Sequence, residues 1–590
     1  MVLSHSHGTA DHGEPDRPLL QVTHFGLPAC TSAVRRRADS NPDFFPPVRI
    51  SQPRRSAELP GGHHMPIAPT WISPVVYPEA AALRTSTPEL LRDAVAADPG
   101  RIFVVDEDHR ISGAELLDTV TGIQQWLQRN GVRSGDCVGM QLPNWWEAVA
   151  VAHAVWGLGA VLCPIPVNYR TTEIRAVLDA VILAAVAIPD TYRGVDHVQL
   201  LDEVQATRTL AAPVLVIRPE MAPVAYSRTD DSAPILRADL DAISLLMFTS
   251  GTTGRAKGVL HSHRSLLADA DSIAKLFNMS DISVFMPSPV AHVTGLVYGV
   301  LMPLLMRGNC VLQHRWDPAV AVAMIETNQC RTSVGATPFL RGLTDEYRSR
   351  AMRSSLTSFI CGGADVPQAL VREAEQAMGT TVVRAYGLTE MPTVTCGGPT
   401  DSDDIRSTTD GRLTGSSRAR IIEPAADGSG ELEVRGPELC AGYLDPRDTT
   451  DAFTVDGWFR TGDLAQIAGD TITIVGRSKD LIVRGGENIS AKEVEDLLLD
   501  LEDVKDVALV GLPDPLLGEM ACAVMVVDGT QPSLSEITAY LLTRGVAKYK
   551  IPEYLLSVAE LPRTPSGKIQ KFRVRDEAAR ILASGNGERR

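Results

Sequence analysis

The sequence predicts an α/β protein with a large N-terminal domain and a small α+β C-terminal domain. Helical segments and apolar extended segments alternate from Pro88 onward, which is typical of a parallel sheet covered by helices. Beyond Gly428 the pattern changes to short strands and turns, and a compact helix-and-strand segment follows. A chain of 590 residues is too long for one compact core, so we expect two or three domains.

The composition is that of an ordinary globular protein, and it argues against several functional classes. There are 56 Lys and Arg against 72 Asp and Glu, and the net charge of −16 argues against a nucleic-acid-binding surface. The 9 cysteines form no CxxC pair and no Cys/His metal spacing. We therefore expect neither a disulfide framework nor a structural zinc, and we expect a reducing cytoplasm as the location.

The N-terminal segment, residues 1–75, is rich in His, Pro, Arg, Ser and Gly and shows no sustained periodicity, so we predict a disordered leader. It lacks the basic and apolar regions of a secretory signal peptide. The most apolar segment, Ala148–Val167, is interrupted by His153, Gly157 and Pro164. It is predicted to form a short buried helix, a turn and a strand, and no membrane span is expected.

The elements after the leader alternate between helix and strand. Residues 112–132 have a serine N-cap, apolar residues at three- and four-residue spacing and an Asn-Gly stop, which together predict a helix. A strand at 137–142, a helix at 148–156 and a strand at 160–166 follow. Strands that end in turns of small residues recur at 332–337, 356–363 and 381–387. Ligands bind at such strand ends in open α/β sheets, so these three turns are candidate site walls.

The C-terminal part of the chain has a different pattern. Short strands are predicted at 430–436, 457–463 and 471–477. They are followed by predicted helices at 490–500 and 533–545, predicted strands at 506–512 and 521–527, and a basic tail. We predict a hinge near Arg477–Asp480, with residues 76–478 as the N-terminal domain and residues 479–590 as the C-terminal domain.

The strongest local signal lies in residues 245–259, where an apolar strand runs into a loop of Thr, Ser and Gly that leads to Lys257. Glycines let several backbone N–H groups converge on an anion, hydroxyls add donors, and the lysine supplies a countercharge. The loop lacks the Gly-Lys-Ser/Thr ending of P-loop NTPases. The residues predicted to bind phosphate are Thr249, Ser250, Gly251, Thr252, Thr253, Gly254 and Lys257.

The segment FTSGTTGRAKGV (248–259) resembles the signature loop of the adenylate-forming superfamily, which contains acyl-CoA synthetases, peptide-synthetase adenylation domains and beetle luciferases. The other family motifs occur in the family's order: AHVTG (291–295), CGGA (361–364), YGLTE (386–390), RTGD (460–463), GRSKDLIVRGGENISAKEVE (476–495) and PRTPSGKIQK (562–571). The resemblance covers residues 85–575. It implies a large multi-sheet N-terminal domain, a small mobile C-terminal domain, and activation of a carboxylic acid by ATP before transfer to a thiol.

The resemblance implies the catalytic residues. Lys568 would bridge the attacking carboxylate and the α-phosphate, Thr389 would hold the α-phosphate, and Glu390 would coordinate Mg²⁺. His292 corresponds to a residue that gates the acyl pocket. The chemistry requires charge neutralisation at the α-phosphate and at the departing pyrophosphate. One glutamate suffices for the metal, because Mg²⁺ typically takes one protein carboxylate together with phosphate oxygens and water.

The same resemblance assigns residues to the nucleotide and to CoA. Asp463 would accept hydrogen bonds from both ribose hydroxyls, and Arg477 resembles the second ribose contact. The residues assigned to the adenine and its surroundings are Gly362, Gly363, Ala364, Tyr386 and Gly387. Lys479 matches the hinge about which the small domain rotates between half-reactions. Gly485 and Gly486 lack side chains, so a pantetheine arm would pass along the backbone there.

An apolar pocket is predicted for the acid, and its lining residues would be Val293, Gly295, Leu296, Gly335, Ala336, Thr337 and Pro338. Relatives that activate α-amino acids usually place an aspartate in the region held here by AHVTG, so its absence disfavours an amino acid. The motifs most resemble those of ligases for medium-chain, alicyclic and aromatic acids. We therefore expect one of these classes as substrate.

CoA is the expected acceptor, because no linker to a carrier or condensation domain follows residue 580. The alternatives are an enzyme that loads a carrier-protein thiol, a luciferase-like oxygenase, and a catalytically silent nucleotide-binding protein. The retention of Lys257, Glu390, Asp463 and Lys568 argues against the silent protein. The expected ligands are ATP, Mg²⁺ and CoA, and assembly as a homodimer is left open.

Overall fold

The computed structural model describes residues 83–206, 212–218, 237–249, 256–363, 366–425, 427–484, 487–563, 568–583 and 588–589. These residues belong to one compact unit, Pro47–Arg590. The predicted leader, residues 1–75, lies outside the described residues. The domain boundary predicted between residues 478 and 479 stays a prediction.

Helices are distributed along the whole described chain. Numbered in chain order, they are α1 (Thr87–Ala97), α2 (Gly113–Arg129), α3 (Trp146–Gly157), α4 (Thr171–Ala180), α5 (His197–Gln205), α6 (His263–Leu276), α7 (Val293–Leu296), α8 (Met302–Leu305), α9 (Pro318–Thr327), α10 (Thr337–Arg350), α11 (Gln368–Met378), α12 (Asp403–Thr408), α13 (Pro446–Ala452), α14 (Ala491–Leu499), α15 (Leu534–Thr543) and α16 (Lys571–Ala583). A π-helical turn, Val297–Leu301, joins α7 to α8, and 3₁₀ turns lie at Ser478–Asp480 and Lys548–Lys550.

The strands are mostly short. In chain order they are β1 (Ile102–Val105), β2 (Arg110–Ser112), β3 (Cys137–Met140), β4 (Val161–Pro164), β5 (Leu183–Pro189), β6 (Thr191–Tyr192), β7 (Val195–Asp196), β8 (Val214–Ile217), β9 (Ile243–Thr249), β10 (Lys257–Ser262), β11 (Ser283–Met286), β12 (Asn309–Leu312), β13 (Thr332–Gly335), β14 (Ser358–Gly362), β15 (Thr381–Tyr386), β16 (Thr395–Cys396), β17 (Arg412–Leu413), β18 (Arg418–Ile422), β19 (Gly430–Arg435), β20 (Gly442–Tyr443), β21 (Phe459–Ala468), β22 (Thr471–Arg477), β23 (Ile482–Arg484), β24 (Glu487–Ile489), β25 (Val504–Asp514), β26 (Gly518–Val527), β27 (Tyr554–Ser557) and β28 (Glu588–Arg589).

Most of these strands belong to three sheets. The thirteen-stranded sheet has the order β18–β19–β21–β22–β17–β16–β15–β14–β13–β11–β12–β1–β2. The seven-stranded sheet has the order β20–β10–β9–β4–β3–β5–β8. The third sheet has six strands, all from residue 482 onward, in the order β24–β23–β26–β27–β28, with β25 also paired to β26. The α/β class and the large multi-sheet N-terminal part predicted from the sequence are confirmed.

Parallel pairing dominates the centres of both large sheets. In the thirteen-stranded sheet β12, β11, β13, β14 and β15 are parallel neighbours. In the seven-stranded sheet the same holds for β8, β5, β3, β4 and β9. The strands predicted at 332–337, 356–363 and 381–387 are β13, β14 and β15. Their carboxyl ends therefore lie along one edge of the sheet, as predicted.

Helix α2 forms where its local signals predict. The Ser112 hydroxyl accepts a hydrogen bond from the Glu115 N–H at 3.3 Å, and the Glu115 carboxylate accepts one from the Ser112 N–H at 2.9 Å. This reciprocal pair satisfies two backbone donors at the start of the helix. Asn130 ends the helix, and Gly131 follows with a φ of +86°. A left-handed residue after the last turn is the usual stop signal, and glycine adopts it without steric cost.

The largest core contains side chains from strands of both large sheets and from α2, α3 and α6. Helix α3 contacts β3 and β4 of the seven-stranded sheet and β1 of the thirteen-stranded sheet, and all of its residues are buried. The indole N–H of Trp156 donates to the Ser244 carbonyl at 3.0 Å, which satisfies the polar atom of a fully buried ring. No helix among the described residues is long and apolar enough to cross a membrane.

Two segments differ from the sequence-based expectation. The strand predicted at 457–463 begins at Phe459 and continues to Ala468, because its second half pairs with β22 along its whole length. The segment expected only as a basic tail contains helix α16. This helix buries only Val574 and Ala578, so its sequence carries little apolar periodicity.

Burial lowers the pKa of five histidines. The pKa falls to about 3 at His153 and His263 and to about 4 at His197, His261 and His292, in each case chiefly through burial. An unfolded histidine takes up its proton near pH 6.5. As the pH falls from that value toward 4, the unfolded chain therefore binds protons that the folded chain does not, and stability decreases.

Two buried carboxyl groups have the opposite effect. Burial raises the pKa of Glu147 and of Asp269 to about 8. Unfolded carboxyl groups lose their protons near pH 4. As the pH rises from 4 to 8, the folded chain therefore binds protons that the unfolded chain has lost, and stability decreases with rising pH.

We expect the free energy of unfolding to be greatest near pH 6.5. Below that pH the stability lost through the five histidines exceeds the stability gained through the two carboxyl groups. Above it only the carboxyl groups change the stability, and they lower it. Each titrating group contributes a slope of up to about 1.4 kcal/mol per pH unit. Urea unfolding at several pH values between 5 and 8 measures the profile. The variant Glu147→Gln should flatten the slope above pH 6.5, whereas the exposed control Glu502→Gln should leave it unchanged. A stability that rises steadily from pH 6.5 to 8 would contradict this account.

Candidate functional site

The predicted phosphate loop joins two antiparallel strands of the seven-stranded sheet. Thr249 ends β9 and pairs with Lys257, which begins β10. The Thr249 hydroxyl donates to the Lys257 carbonyl at 3.4 Å. Ser250, Gly251, Thr252, Thr253 and Gly254 lie outside the described residues, so their binding of phosphate stays a prediction.

Lys257 lies beside two side chains that the sequence did not single out. Its Nζ is 3.5 Å from Oδ1 of Asp448 and 5.1 Å from the centre of the Tyr443 ring. The Tyr443 hydroxyl donates to Oε1 of Glu390 at 2.6 Å. The lysine predicted to bind phosphate and the glutamate predicted to bind magnesium therefore contact the same tyrosine, one at its ring and the other at its hydroxyl.

The loop that carries Thr389 and Glu390 is a tight turn after β15. A Cβ at Gly387 would lie 1.9 Å from the Pro392 carbonyl oxygen, so a side chain there would require the loop to move. The Leu388 and Met391 backbones donate to each other's carbonyls at 2.9 and 3.2 Å. Glycine is therefore needed at this position for steric reasons, in addition to its place in a predicted motif.

His261 holds the same loop from the seven-stranded sheet. Its Nε2 lies 2.7 Å from the Thr389 carbonyl oxygen, and its Nδ1 lies 3.0 Å from the Ser265 hydroxyl. A carbonyl only accepts, so Nε2 carries the proton and Nδ1 accepts from the serine. Burial lowers the His261 pKa to about 4, which agrees with a neutral ring. The sequence analysis missed this residue, because its role depends on a contact between distant segments.

The residues predicted to bind ribose and adenine are brought together at β15, β21 and β22. The Tyr386 hydroxyl donates to Oδ2 of Asp463 at 2.6 Å, and Nε of Arg477 lies 2.7 Å from Oδ1. Asp463 is paired with Arg477 in the strand register and is buried. Burial, and then the negative charge of Asp463, hold the pKa of Tyr386 well above its usual value. The hydrogen bond fixes the orientation of the tyrosine ring.

Gly362 and Gly363 lie at the end of β14, next to Tyr386 at the end of β15. A Cβ at Gly362 would lie 2.5 Å from the Ala385 carbonyl oxygen, and Gly363 has a φ of +81°. Both positions therefore disfavour a side chain, which leaves the strand ends open for a flat ring to approach. Ala364 lies outside the described residues.

The charge of Lys568 acts on His292, although the two residues are far apart in the sequence. His292 precedes helix α7, and its Nε2 is buried with no hydrogen-bond partner among the described residues. Burial lowers the pKa of His292 to about 4, and the positive charge of Lys568 is the second cause. Lys568 is exposed. The predicted bridging lysine thus lies within electrostatic reach of the predicted gate.

The predicted acyl-pocket residues lie on α7 and at the junction of β13 with α10. A Cβ at Gly295 would lie 2.1 Å from the Pro289 carbonyl oxygen, so α7 packs directly on the preceding chain. Val293 and Leu296 are buried on α7, and Ala336, Thr337 and Pro338 begin α10 after Gly335. The π-helical turn follows α7 immediately, and such turns are frequent at functional sites. The lining of a pocket by these residues stays a prediction.

The predicted hinge lies in a 3₁₀ turn. Lys479 is the middle residue of Ser478–Asp480, and its side chain is not among the described parts of the chain. Gly485 and Gly486 also lie outside the described residues. After the hinge, the Ser490 hydroxyl accepts from the Glu493 N–H at 3.4 Å and donates to the Val475 carbonyl. Ser490 therefore caps α14 and also contacts the strand before the predicted hinge.

The donor set at Glu390 suits magnesium. Within the described ranges no group of three or more His, Cys, Asp or Glu side chains forms a cage for a metal ion. Glu390 supplies one carboxylate, which is partly exposed and is oriented by the Tyr443 hydroxyl. Magnesium keeps several waters and binds substrate phosphates, so a single oriented carboxylate fits it better than it fits a structural metal.

Comparison with known proteins identifies the family. The family model described as AMP-binding enzyme matches residues 91–444, and the model described as AMP-binding enzyme C-terminal domain matches residues 493–568. The chain is 33% identical over 506 residues to the medium-chain fatty-acid–CoA ligase of Escherichia coli (strain K12), covering 82% of this chain and 89% of that one. It is 32% identical over 476 residues to a feruloyl-CoA synthase of an Amycolatopsis species, covering 78% and 93%.

Solved structures give the same result. The fold is similar to that of ATP-bound MatB from Rhodopseudomonas palustris, with a TM-score of 0.75, 26% identity, and coverage of 84% of this chain and 99% of that one. The first family model spans the strands that carry Lys257, Tyr386 and Tyr443, and the second extends to Lys568. The chain therefore belongs to the AMP-binding enzyme family and is an ATP-dependent acid–thiol ligase.

Proposed function

We propose that this ligase joins a medium-chain, alicyclic or aromatic carboxylic acid to CoA through an acyl-adenylate, releasing pyrophosphate and AMP. The observation that carries the proposal is the convergence of predicted catalytic residues from distant segments. Lys257 and Glu390 both contact Tyr443, and the charge of Lys568 acts on His292. The family match supports the same reaction.

In the first half-reaction a carboxylate oxygen attacks the α-phosphorus of ATP. A new O–P bond forms, the bond to the bridging oxygen breaks, and pyrophosphate leaves with the electron pair. Lys568 offsets the negative charge of the two reacting groups, and Lys257 offsets the charge on the leaving group. Glu390 would hold Mg²⁺, which neutralises charge on the phosphate oxygens.

In the second half-reaction the CoA thiol gives its proton to water, and its sulfur forms a bond to the acyl carbon. The bond between that carbon and the phosphate oxygen breaks, and AMP leaves with the electron pair. We assign the approach of the pantetheine arm to Gly485 and Gly486. Rotation of residues 479–590 about Lys479 would withdraw Lys568, which serves only the first step. The Ser490 hydroxyl donates to the Val475 carbonyl across this turn, so that hydrogen bond would have to break during the rotation.

The proposed acid is apolar around its carboxylate. Buried aliphatic residues and glycines make up the predicted pocket wall on α7, and His292 is neutral at physiological pH because its pKa is about 4. The similar proteins include ligases named for a medium-chain fatty acid and for a feruloyl group. A cytoplasmic location is part of the proposal, and it is supported by the eight described cysteines, which are all free and buried.

A panel of short, medium-chain, alicyclic and aromatic acids should show which class is activated. Acid-dependent exchange of pyrophosphate into ATP without CoA, and formation of a thioester and AMP with CoA, are the expected results. Replacing CoA with a phosphopantetheinylated carrier protein tests the alternative acceptor. Formation of ADP in place of AMP would contradict the proposed reaction.

Lys568→Ala should lower the rate of adenylate formation on the order of 100-fold or more, because the transition state loses its countercharge. Thioester formation from a synthetic acyl-adenylate and CoA should stay close to that of the unchanged protein. Lys505→Ala, which removes an exposed lysine of the same C-terminal region, serves as control. An equal loss of rate in both half-reactions of the Lys568 variant would contradict the proposal that Lys568 serves only adenylate formation.

His261→Leu should slow adenylation about tenfold, mainly in kcat, because the Thr389 carbonyl loses its donor and the loop loses its orientation. His261→Gln should retain most of the activity, because an amide N–H also donates. His263→Gln changes a histidine of similar burial that contacts Thr87 instead of the loop, and we expect little effect on kcat. Equal kcat values for the Leu and Gln variants of His261, at matched thermal stability, would show that the hydrogen bond does not position Thr389.

A further inference from the structure

A carboxylate on helix α13 lies next to the lysine that is predicted to bind phosphate. Asp448 lies in the first turn of α13, and its Oδ1 is 3.5 Å from Nζ of Lys257. The Asp448 side chain is 10% exposed and that of Lys257 is 31% exposed, so water screens the pair only in part. Asp448 belongs to none of the motifs that the sequence analysis identified.

The needs of the helix explain only part of this arrangement. Asp445 is the N-cap of α13, and its carboxylate accepts from the Arg447 N–H at 3.0 Å. An acidic side chain in the first turn is favourable because it faces the positive end of the helix dipole. That effect accounts for an aspartate at position 448. It does not require the carboxylate to be buried against a lysine of β10.

Tyr443 connects Asp448 to the rest of the site. Lys257 lies over its ring, Glu390 accepts from its hydroxyl, and Thr449, next to Asp448, accepts from its N–H at 2.9 Å. The pKa of Tyr443 is raised by burial, then by Glu390, with Asp448 as a smaller cause. Asp448 is therefore the carboxylate next to the ammonium group, and Glu390 is connected to it only through Tyr443. The positive charge of Lys257 is partly offset by Asp448 before a phosphate binds.

A lysine that lies next to a carboxylate binds an anion less tightly than a lysine without one, because the carboxylate offsets part of the attraction between the lysine and the anion. The anion in question is the pyrophosphate end of ATP, which becomes the leaving group. Tight binding of this end helps the first half-reaction but retains the product. The second half-reaction needs the product to leave.

We propose that Asp448 is a positioning residue that weakens the hold of Lys257 on pyrophosphate and so promotes its release after adenylation. This inference rests on the proposed function, because it assigns Lys257 to the pyrophosphate end of ATP. It adds a residue to that site and a direction of effect: removal of the Asp448 charge tightens binding.

Calorimetric titration of the full-length protein with inorganic pyrophosphate and excess Mg²⁺ tests the proposal. Asp448→Asn keeps the shape of the side chain and should lower the dissociation constant about fivefold, because one nearby negative charge is lost. In product-inhibition assays the same variant should show a lower inhibition constant for pyrophosphate. Asp451→Asn, at an exposed position one turn further along α13, should leave both constants unchanged.

A double variant separates an effect through Lys257 from direct repulsion of the anion. In the Lys257→Met background, Asp448→Asn should no longer change the dissociation constant. A similar tightening in both backgrounds, or no tightening in the single variant, would overturn the proposal. Acid-dependent pyrophosphate exchange by the unchanged protein reports on the proposed function separately, so a working ligase with an unaltered Asp448→Asn affinity rejects this inference alone.

Discussion

Two hydrogen bonds fix the loop of Thr389 and Glu390 to the seven-stranded sheet, although the loop itself follows a strand of the thirteen-stranded sheet. His261 on β10 donates to the Thr389 carbonyl, and Tyr443 on β20 donates to the Glu390 carboxylate. Because β10 and β20 pair with each other, the two donors lie on adjacent strands of one sheet. The relative position of the two sheets therefore determines where the predicted magnesium ligand lies with respect to Lys257.

This arrangement places opposite charges in a partly buried region, where water screens their interaction only in part. Lys257 lies over the Tyr443 ring and next to Asp448, and Glu390 accepts from the Tyr443 hydroxyl. Asp463 is also oriented by a tyrosine and lies next to a cation, because Tyr386 and Arg477 each bind one of its oxygens. In both places a tyrosine hydroxyl orients a carboxylate that the nucleotide would use, which reduces the reorganisation needed on binding.

Local signals in the sequence predicted those parts of the fold that depend on neighbouring residues. The serine N-cap at Ser112 indicated the start of α2, and turns of small residues indicated the ends of β13, β14 and β15. The motif residues Tyr386, Asp463 and Arg477 meet, as their assignment required. His261, Tyr443 and Asp448 could not be predicted, because each matters only through a contact across two distant segments. Helix α16 was missed because it buries too little apolar surface to leave a periodic signal.

The pairing of His292 with Lys568 shows how burial assigns charge in this site. Burial favours the neutral form of the imidazole, and the nearby ammonium group disfavours its protonation further, so the ring stays uncharged at neutral pH. The positive charge at this end of the site therefore resides on Lys568, which belongs to the C-terminal part of the chain. A carboxylate at this place would therefore be attracted by Lys568 and not by the imidazole. Burial of the imidazole thus leaves the positive charge here to a residue of the C-terminal part of the chain.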